Sequence, residues 1–216
     1  MQQKNAPGAP GIKAKWTSSS KSGIGKALDA DSTVAFTISH SILNEVYFPR
    51  EDIACIRDME FIVTDEKEFF SEEKRDTHHS TIRIESGKPV YQIINTCVNK
   101  KYQIKKEIIT DPYRNTVLQN VSFKKGKGKA LHLYALLAPH LNNKGNCNSG
   151  WVGDYKGTPM LFAQNDGLAL AVACSLKWLK RSVGYVGISD GWNDLNKHKK
   201  MEWEYTNADD GNIALT

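Results

Sequence analysis

The chain contains, at positions 34–50, the sequence Val34-Ala-Phe-Thr-Ile-Ser-His-Ser-Ile-Leu-Asn-Glu-Val-Tyr-Phe-Pro-Arg50. Its first five residues carry large apolar side chains at every second position, which is the pattern of a strand with one face in a core. The next dozen residues concentrate a histidine, an amide, a carboxylate, a tyrosine and an arginine, and Pro49 closes them. A strand that had only to fold would not need so many polar groups at its exit, so this stretch is a candidate functional edge.

The same alternation recurs along the chain, and turn signals built from Gly, Pro and Asp separate its occurrences. Further alternating runs lie at 59–63, 81–85, 131–137, 168–174 and 201–206. Many short strands joined by tight turns predict an all-β fold, and in particular a large antiparallel β-sandwich. Large and small residues alternate at 168–174, which predicts a strand buried between two layers. Helical periodicity is weak, and residues 66–76 are the one candidate for a charged helical turn.

The composition divides the chain into two parts. Residues 1–32 are rich in Gly, Pro, Ser and Lys and have Trp16 as their one aromatic residue, which is typical of an irregular segment packed on a folded domain. Residues 33–216 form the predicted sandwich. Residues 211–216 have the pattern of a turn and the beginning of a strand, whose apolar face needs a partner. The partner strands are therefore expected beyond residue 216, which would leave the sandwich incomplete in this chain.

The charge pattern argues against a nucleic-acid partner. The net charge of +5 comes from interspersed acidic and basic residues, with lysine clusters at 124–129 and 197–200. Short clusters favour solvated turns, whereas nucleic-acid binders concentrate their charge on one face. Residues 1–7 lack the apolar core of a signal peptide, and no apolar run reaches membrane-spanning length. We therefore expect no membrane partner and a cytoplasmic location for the chain as given.

Metal and cofactor chemistry has no recognisable motif in this sequence. The four cysteines are widely separated without a CxxC pair, and free buried thiols are a simpler interpretation than a disulfide, which stays open. Neighbouring residues of a strand point to opposite faces, so His78 and His79 favour a solvated loop over a shared metal ion. His132 alternates with apolar residues, which is typical of a histidine packed in a sheet. No phosphate-binding loop, nucleophile elbow or zinc-protease motif occurs, so we expect no cofactor and no metal.

Nine segments resemble the N-terminal β-sandwich domain of prokaryotic glucoamylases and glucodextranases, which belong to glycoside hydrolase family 15. They are Ala-Pro-Gly-Ala-Pro-Gly at 6–11, Trp-Thr-Ser-Ser at 16–19, the stretch 39–50, Arg57-Asp58, Ile-Val-Thr-Asp at 62–65, Lys-Glu-Ile-Ile-Thr-Asp-Pro at 106–112, Leu-Ala-Pro-His-Leu-Asn-Asn at 137–143, Trp-Val-Gly-Asp-Tyr-Lys-Gly at 151–157 and Gly-Tyr-Val-Gly-Ile-Ser-Asp-Gly-Trp at 184–192. They occur in order across nearly the whole chain, which makes the resemblance more specific than one short motif.

The resemblance implies a supersandwich similar in shape to galactose mutarotase, joined to an (α/α)6 barrel that carries the chemistry. In such enzymes two glutamates of the barrel, a general acid and a general base, release glucose with inversion, which requires space for a water between them. Residues 1–216 show no helical pattern of a barrel, so no catalytic residue is carried over. The resemblance thus implies a non-catalytic domain, inactive alone, whose partners are the barrel and also α-glucan or maltooligosaccharide.

The stretch 39–50 is then a candidate contact with the barrel near its substrate. A proline-closed loop holds its side chains in place, because Pro49 restricts its own backbone and that of the preceding residue. The structural alternative is that Arg50 pairs with Asp52 or Asp58 and that Asn44 caps a turn. The predicted contact residues are His40, Asn44, Glu45, Tyr47 and Arg50.

A second candidate is the long segment 139–159, which has the length of a functional loop. An aromatic ring can stack on the apolar face of a pyranose while neighbouring polar groups bind its hydroxyls. The candidates for carbohydrate contact are Trp151, Asp154, Tyr155 and Trp192. A buried aromatic anchor is the commoner role for such a tryptophan, and packing is favoured over contact for Trp192.

Two other functions stay open at this point. A free-standing enzyme similar to an aldose mutarotase needs a general acid and a general base in one cleft, for which His40, His140 and Glu107 are possible members. An independent carbohydrate-binding module would instead use Trp151, Tyr155 and Trp192.

Overall fold

The computed structural model describes residues 4–17, 20–28, 31–128 and 130–216. In that part of the chain it has sixteen strands, a short 3-10 turn at Leu141–Asn143 and one α-helix, α1 (Gly191–His198). The strands are β1 (Gly23–Lys26), β2 (Ala35–Ser39), β3 (Ile42–Tyr47), β4 (Ile56–Thr64), β5 (Phe70–Glu72), β6 (Thr77–Arg83), β7 (Tyr91–Cys97), β8 (Tyr102–Thr110), β9 (Val117–Lys125), β10 (His132–Pro139), β11 (Asn148–Tyr155), β12 (Thr158–Asn165), β13 (Leu168–Val172), β14 (Val183–Tyr185), β15 (Asn207–Gly211) and β16 (Ile213–Leu215). Residues 18, 19 and 129, which belong to the Trp-Thr-Ser-Ser motif and the first lysine cluster, lie outside the described residues.

The described strands form three antiparallel sheets. The largest has the order β1-β2-β3-β4-β10-β16-β14, with β5 added to β4, and two four-stranded sheets have the orders β13-β12-β11-β15 and β6-β7-β8-β9. The main core joins Phe36 and Leu137 of the large sheet to Ile93 of one small sheet and Leu161 of the other. The small sheets therefore form one layer against the inner face of the large sheet, and the predicted antiparallel β-sandwich is confirmed.

Most of the alternating runs are strands in the positions predicted. Residues 35–38, 59–63 and 132–137 belong to β2, β4 and β10. Residues 168–172 form β13, but the prediction that this strand is buried between two layers is wrong. It is the edge strand of its sheet, and Ala169 and Ala171 are exposed. The small residues of that alternation face solvent rather than a second layer.

The run 201–206 is not a strand. Two of its backbone amides bind a side chain instead of a neighbouring strand, because Glu202 N and Trp203 N donate to Asp194 Oδ2 at 2.9 and 2.7 Å. Regular alternation in a sequence is therefore not sufficient for a strand, because a ladder also depends on which groups lie beside the backbone donors.

The helix is α1, and residues 66–76, the predicted site of a helical turn, contain β5 instead. Asp190 caps α1 by accepting a hydrogen bond from Asn193 N at 2.9 Å. Leu195 belongs to a small core on the outer face of the large sheet, the face opposite the main core. In the sequence, Asp190-Gly191 has the pattern of a turn, but in the structure Asp190 is the N-cap of α1. Across the described residues, no helix is long and apolar enough to cross a bilayer.

Two strands differ from the predicted organisation. The strand β1 lies within the segment predicted to be irregular and pairs with β2 along its length. The strand β16 pairs with β10 on one side and β14 on the other, and its three residues are buried. The expectation that its partners lie beyond residue 216 is therefore wrong for this strand.

All four cysteines are free, but only Cys55 and Cys97 are buried. The prediction of buried thiols is wrong for Cys147 and Cys174, which are exposed. His78 and His79 are also exposed, as expected, although they lie on the edge strand β6 rather than in a loop.

Candidate functional site

The outer face of the large sheet collects polar residues of β3 because that strand contains a bulge. The register of β2 and β3 shifts by one residue between Phe36 and Ile38, so that Thr37 lies opposite both Asn44 and Glu45. The Glu45 amide donates to Thr37 Oγ1 at 3.2 Å. A β-bulge re-aims side chains. Here it keeps the flanking apolar residues on the inner face while Asn44 and Glu45 both lie on the outer face.

The N-terminal segment crosses this face and is held there by both residues. Lys21 Nζ lies 2.7 Å from Glu45 Oε2, and Thr17 Oγ1 is hydrogen-bonded to the Asn44 side chain at 2.8 Å. Tyr47 donates its hydroxyl proton to the same Glu45 carboxylate. Burial and the Glu45 charge raise the pKa of Tyr47 above its usual range, so the phenol stays a donor. Asn44 is fully buried, and its polar groups are used inside the chain.

Two carboxyl groups of β4 continue this face. Asp58 is held between Arg57 and Lys74, at 3.1 and 3.4 Å. Glu60 is 5% exposed, and its Oε2 has no hydrogen-bond partner among the described residues. Burial, together with the charges of Glu72 and Asp58, raises the pKa of Glu60 to about 8, so this acid carries a proton at neutral pH. The outer polar face consists of Thr37, Asn44, Glu45, Tyr47, Asp58 and Glu60.

His140 lies beneath the N-terminal segment, just after β10. It is fully buried, and the Trp16 ring packs against it with 4.6 Å between centroids and 82° between planes. Neither ring nitrogen has a hydrogen-bond partner among the described residues. Burial, and secondly the charge of Arg57, lowers the pKa of His140 to about 4. The imidazole is therefore neutral at pH 7, and Trp16 covers it.

A buried ion pair that the sequence patterns did not predict joins the large sheet to the sheet β6–β9. Lys106 Nζ lies 2.7 Å from Glu73 Oε1, and both side chains are fully buried. Glu73 also accepts from Asn95 Nδ2 at 2.6 Å and from Phe61 N at 3.0 Å. Asn95 Nδ2 donates as well to Ser41 O at 2.9 Å, which ties in the β2–β3 turn. One signal for this pair is visible in β8, where Lys106 occupies an inward position of the alternating run.

The residues of the stretch 39–50 do not form one loop. His40 and Ser41 make the tight turn between β2 and β3, with φ of 49° and 56°. Arg50 lies beyond the other end of β3 and pairs with Asp52 at 2.9 and 2.7 Å. His40 and Arg50 are exposed at the two ends of a strand in which Asn44 is buried. The predicted loop is therefore wrong, the alternative pairing of Arg50 with Asp52 is confirmed, and Asn44 does not cap a turn.

The segment 139–159 is not one loop either, because its second half is the strand β11. Trp151 stacks on Phe162 of β12, with 5.2 Å between ring centroids and 13° between planes. Tyr155 shares the sheet face of Trp151, and Asp154 lies on the opposite face, since side chains alternate along a strand. Asp154 Oδ1 is 3.8 Å from Arg181. Only Trp151 and Tyr155 are thus on one surface.

Trp192 lies apart from these residues, on α1 over the outer face of the large sheet. Its Nε1 donates to Glu72 Oε2 at 3.0 Å, and its ring packs against Phe70 with 5.8 Å between centroids. Trp192 is packed, as the favoured interpretation predicts. The four predicted carbohydrate-contact residues therefore do not form a single site.

The acid–base set of a mutarotase-like enzyme is likewise not assembled. His140 is buried, His40 lies at a hairpin turn with its Nδ1 2.8 Å from Ser39 Oγ, and Glu107 lies in a small sheet 3.9 Å from Lys105. General acid–base catalysis needs both groups within hydrogen-bond reach of one substrate. In the described ranges no group of three or more His, Cys, Asp or Glu is placed to hold a metal ion.

Three comparisons connect this chain to known proteins. It matches the family described as glucodextranase, domain N, over residues 6–216. It is 34% identical over 212 residues to a glucoamylase of Clostridium sp. (strain G0005). The aligned residues cover 97% of this chain and 30% of that protein. It also superimposes on a crystal structure of a bacterial glucoamylase complexed with acarbose, with a TM-score of 0.96 and 32% identity, over 100% of this chain and 32% of that one.

The fold and the site define a β-sandwich domain. The residues of its outer polar face contact other residues of the same domain and do not line a catalytic cleft. The chain belongs to the glucodextranase domain N family. It spans about a third of the length of the two glucoamylases that it matches. The resemblance carried by the nine sequence segments is confirmed.

Proposed function

We propose that this chain is the non-catalytic sandwich domain of a glucoamylase-type α-glucoside hydrolase and that it supports a separate (α/α)6 catalytic barrel. One observation carries the proposal. The whole chain superimposes on 32% of a bacterial glucoamylase, so the same fold occurs there as one part of a larger chain. The other two thirds of such a protein leave room for a catalytic part.

The contacts of the outer polar face support a structural role. Asn44 and Glu45 hold the N-terminal segment through Thr17 and Lys21, and Asp58 is occupied by neighbouring cations. A barrel contact through the stretch 39–50 stays a prediction, and it is open to the exposed residues His40 and Arg50. Contact of α-glucan with Trp151 and Tyr155 also stays a prediction, which a titration with maltooligosaccharide followed by tryptophan fluorescence would check.

The test uses this chain and the part of the Clostridium glucoamylase that lies outside the match. When the two are produced together with an affinity tag on this chain only, they should co-purify, whereas an unrelated tagged domain should not retain that part. The glucoamylase activity of the pair should survive a higher temperature than that of the remainder alone, because binding stabilises the folded state. The purified chain alone should release no glucose. Glucose release by the chain alone, or the absence of both co-purification and thermal protection, contradicts the proposal.

A further inference from the structure

Two large apolar side chains are exposed in the segment 173–182, which connects β13 to β14. Leu179 is 87% exposed and Leu176 is 76% exposed. In the described part of the chain neither leucine belongs to a hydrophobic core, so packing within this domain does not explain them. Apolar side chains grouped on the surface of a domain mark an interaction site.

The segment is attached to the strands β11 and β12 close to the turn that joins them. Trp178, which lies between the two leucines in sequence, donates from Nε1 to Pro159 O at 3.1 Å. Arg181 donates from one guanidinium nitrogen to Gly153 O at 2.6 Å and to Met160 O at 2.8 Å. Trp178 itself is half-buried and packs against the main core. The hairpin-end patch therefore consists of the two exposed leucines, Leu176 and Leu179.

These attachments hold the backbone of the patch while the leucines point to solvent. A segment that is ordered before it binds loses less conformational entropy on docking. Exposed leucines on an ordered backbone are thus the arrangement of a preformed contact surface. The outer polar face differs, because Asn44, Asp58 and Glu60 are already buried within this chain.

We propose that the hairpin-end patch is the surface on which the catalytic part of a glucoamylase-type protein docks. This inference rests on the proposed function. The relatives have about two thirds of their length outside the match, which supplies a partner of the required size. A sugar is a poorer occupant, because Leu176 and Leu179 offer no ring to stack on a pyranose and no polar group for its hydroxyls.

Matched variants test the surface in the co-purified pair. Leu176→Asp combined with Leu179→Asp should weaken binding of the Clostridium remainder at least about tenfold, because charges replace apolar contacts at the centre of an interface. The control combines Leu28→Asp and Leu118→Asp, at exposed leucines near β1 and in β9, which should bind within about twofold of the unaltered chain. All four side chains are exposed, so circular dichroism should show the same fold in both variants.

The native thiols supply a second readout that needs no substitution. Cys174 lies two residues before Leu176, and Cys147 lies elsewhere; both are exposed and free. In the complex, modification of Cys174 by a maleimide reagent should slow by about tenfold or more, whereas Cys147 should react at the rate found in the free chain.

The outcomes separate the two proposals. If the remainder binds the unaltered chain and the aspartate variant equally and Cys174 stays reactive, the docking surface is overturned and the proposed function stands. If the unaltered chain does not bind, the proposed function itself fails. Self-association of the chain that the aspartate substitutions abolish, or protection of Cys174 by maltooligosaccharide alone, would assign the patch to another occupant and overturn the inference.

Discussion

Lys106 and Glu73 form an ion pair, with 2.7 Å between Nζ and Oε1, from which solvent is fully excluded. Removing one partner of such a pair leaves an uncompensated charge in the interior, which costs about 3–5 kcal/mol. We expect Lys106→Met to lower the free energy of unfolding by this amount, measured by urea denaturation. Lys105→Met, at the exposed neighbouring position, should change it by less than about 0.5 kcal/mol.

The double variant Lys106→Met with Glu73→Gln gives the control for this interpretation. It should lose less stability than the sum of the single variants, because neither charge then remains in the interior. The glutamine also keeps an oxygen for Asn95 or Phe61 N. Strictly additive losses would contradict the assignment of a coupled ion pair.

His140 should make the domain sensitive to acid. Its pKa is lowered to about 4 in the folded state, so below pH 6.5 the unfolded chain takes up a proton that the folded chain does not. The contribution of neutral His140 to the free energy of unfolding is therefore complete above pH 6.5. About 3 kcal/mol of it is lost as the pH falls towards 4. His140→Gln should remove that part of the pH dependence, measured by chemical denaturation at several pH values. An unchanged slope would count against it, and His78→Gln, on an exposed edge strand, is the control.

Glu60 should give the stability of the domain a pH dependence of the opposite sign to that of His140. Its pKa is raised to about 8 in the folded state, whereas an unfolded glutamate titrates near its usual value. The contribution of Glu60 is therefore complete at low pH and declines as the pH rises towards 8, because the folded state must then accept a buried charge. Glu60→Gln, which cannot ionise, should flatten the stability curve by a few kcal/mol between pH 5 and 8. Glu107→Gln, at a half-exposed position, should leave the curve as it is.

Gly184 in β14 has no room for a side chain. A Cβ atom at this position would lie 2.0 Å from Ser189 O, a backbone atom in the turn that precedes α1. We expect Gly184→Ala to destabilise the domain by about 3 kcal/mol, because the backbone must move to relieve the overlap. Gly153→Ala is the matched control: its Cβ would lie 3.2 Å from the Phe162 ring, which can shift, so the loss should stay within about 1 kcal/mol. Equal melting temperatures for the two variants would contradict this account.

The candidate site was only partly predictable. Asn44, Glu45 and Tyr47 were identified because polar groups are dense in one short stretch, and all three lie on the outer polar face. The surroundings of these residues were not predicted. They depend on the β2–β3 bulge, and a bulge is set by the register between two strands and not by either strand alone. Lys21 and Glu73 were missed because their partners, Glu45 and Lys106, lie far away in sequence. Glu60 was missed because a charged residue in an alternating run does not show whether it will be buried.

The helix α1 and the segment 201–206 show a similar limit. Eight residues with Leu195 as the only buried aliphatic side chain produce too weak a period to predict a helix. In 201–206 the alternation is regular, but the Asp194 carboxylate occupies backbone donors that a ladder would need. Both outcomes depend on capping and on side chains that lie outside the pattern.

By itself the sequence determined the all-β class, most of the strands and the family, because apolar alternation and turn residues act over a few positions and motif order survives in the chain. The tertiary structure decided which polar groups are buried, which strand lies at an edge, and that Leu176 and Leu179 are left in solvent beside a firmly held backbone. Those properties arise from pairings between distant residues, and a local period of two cannot specify which surface each face will meet.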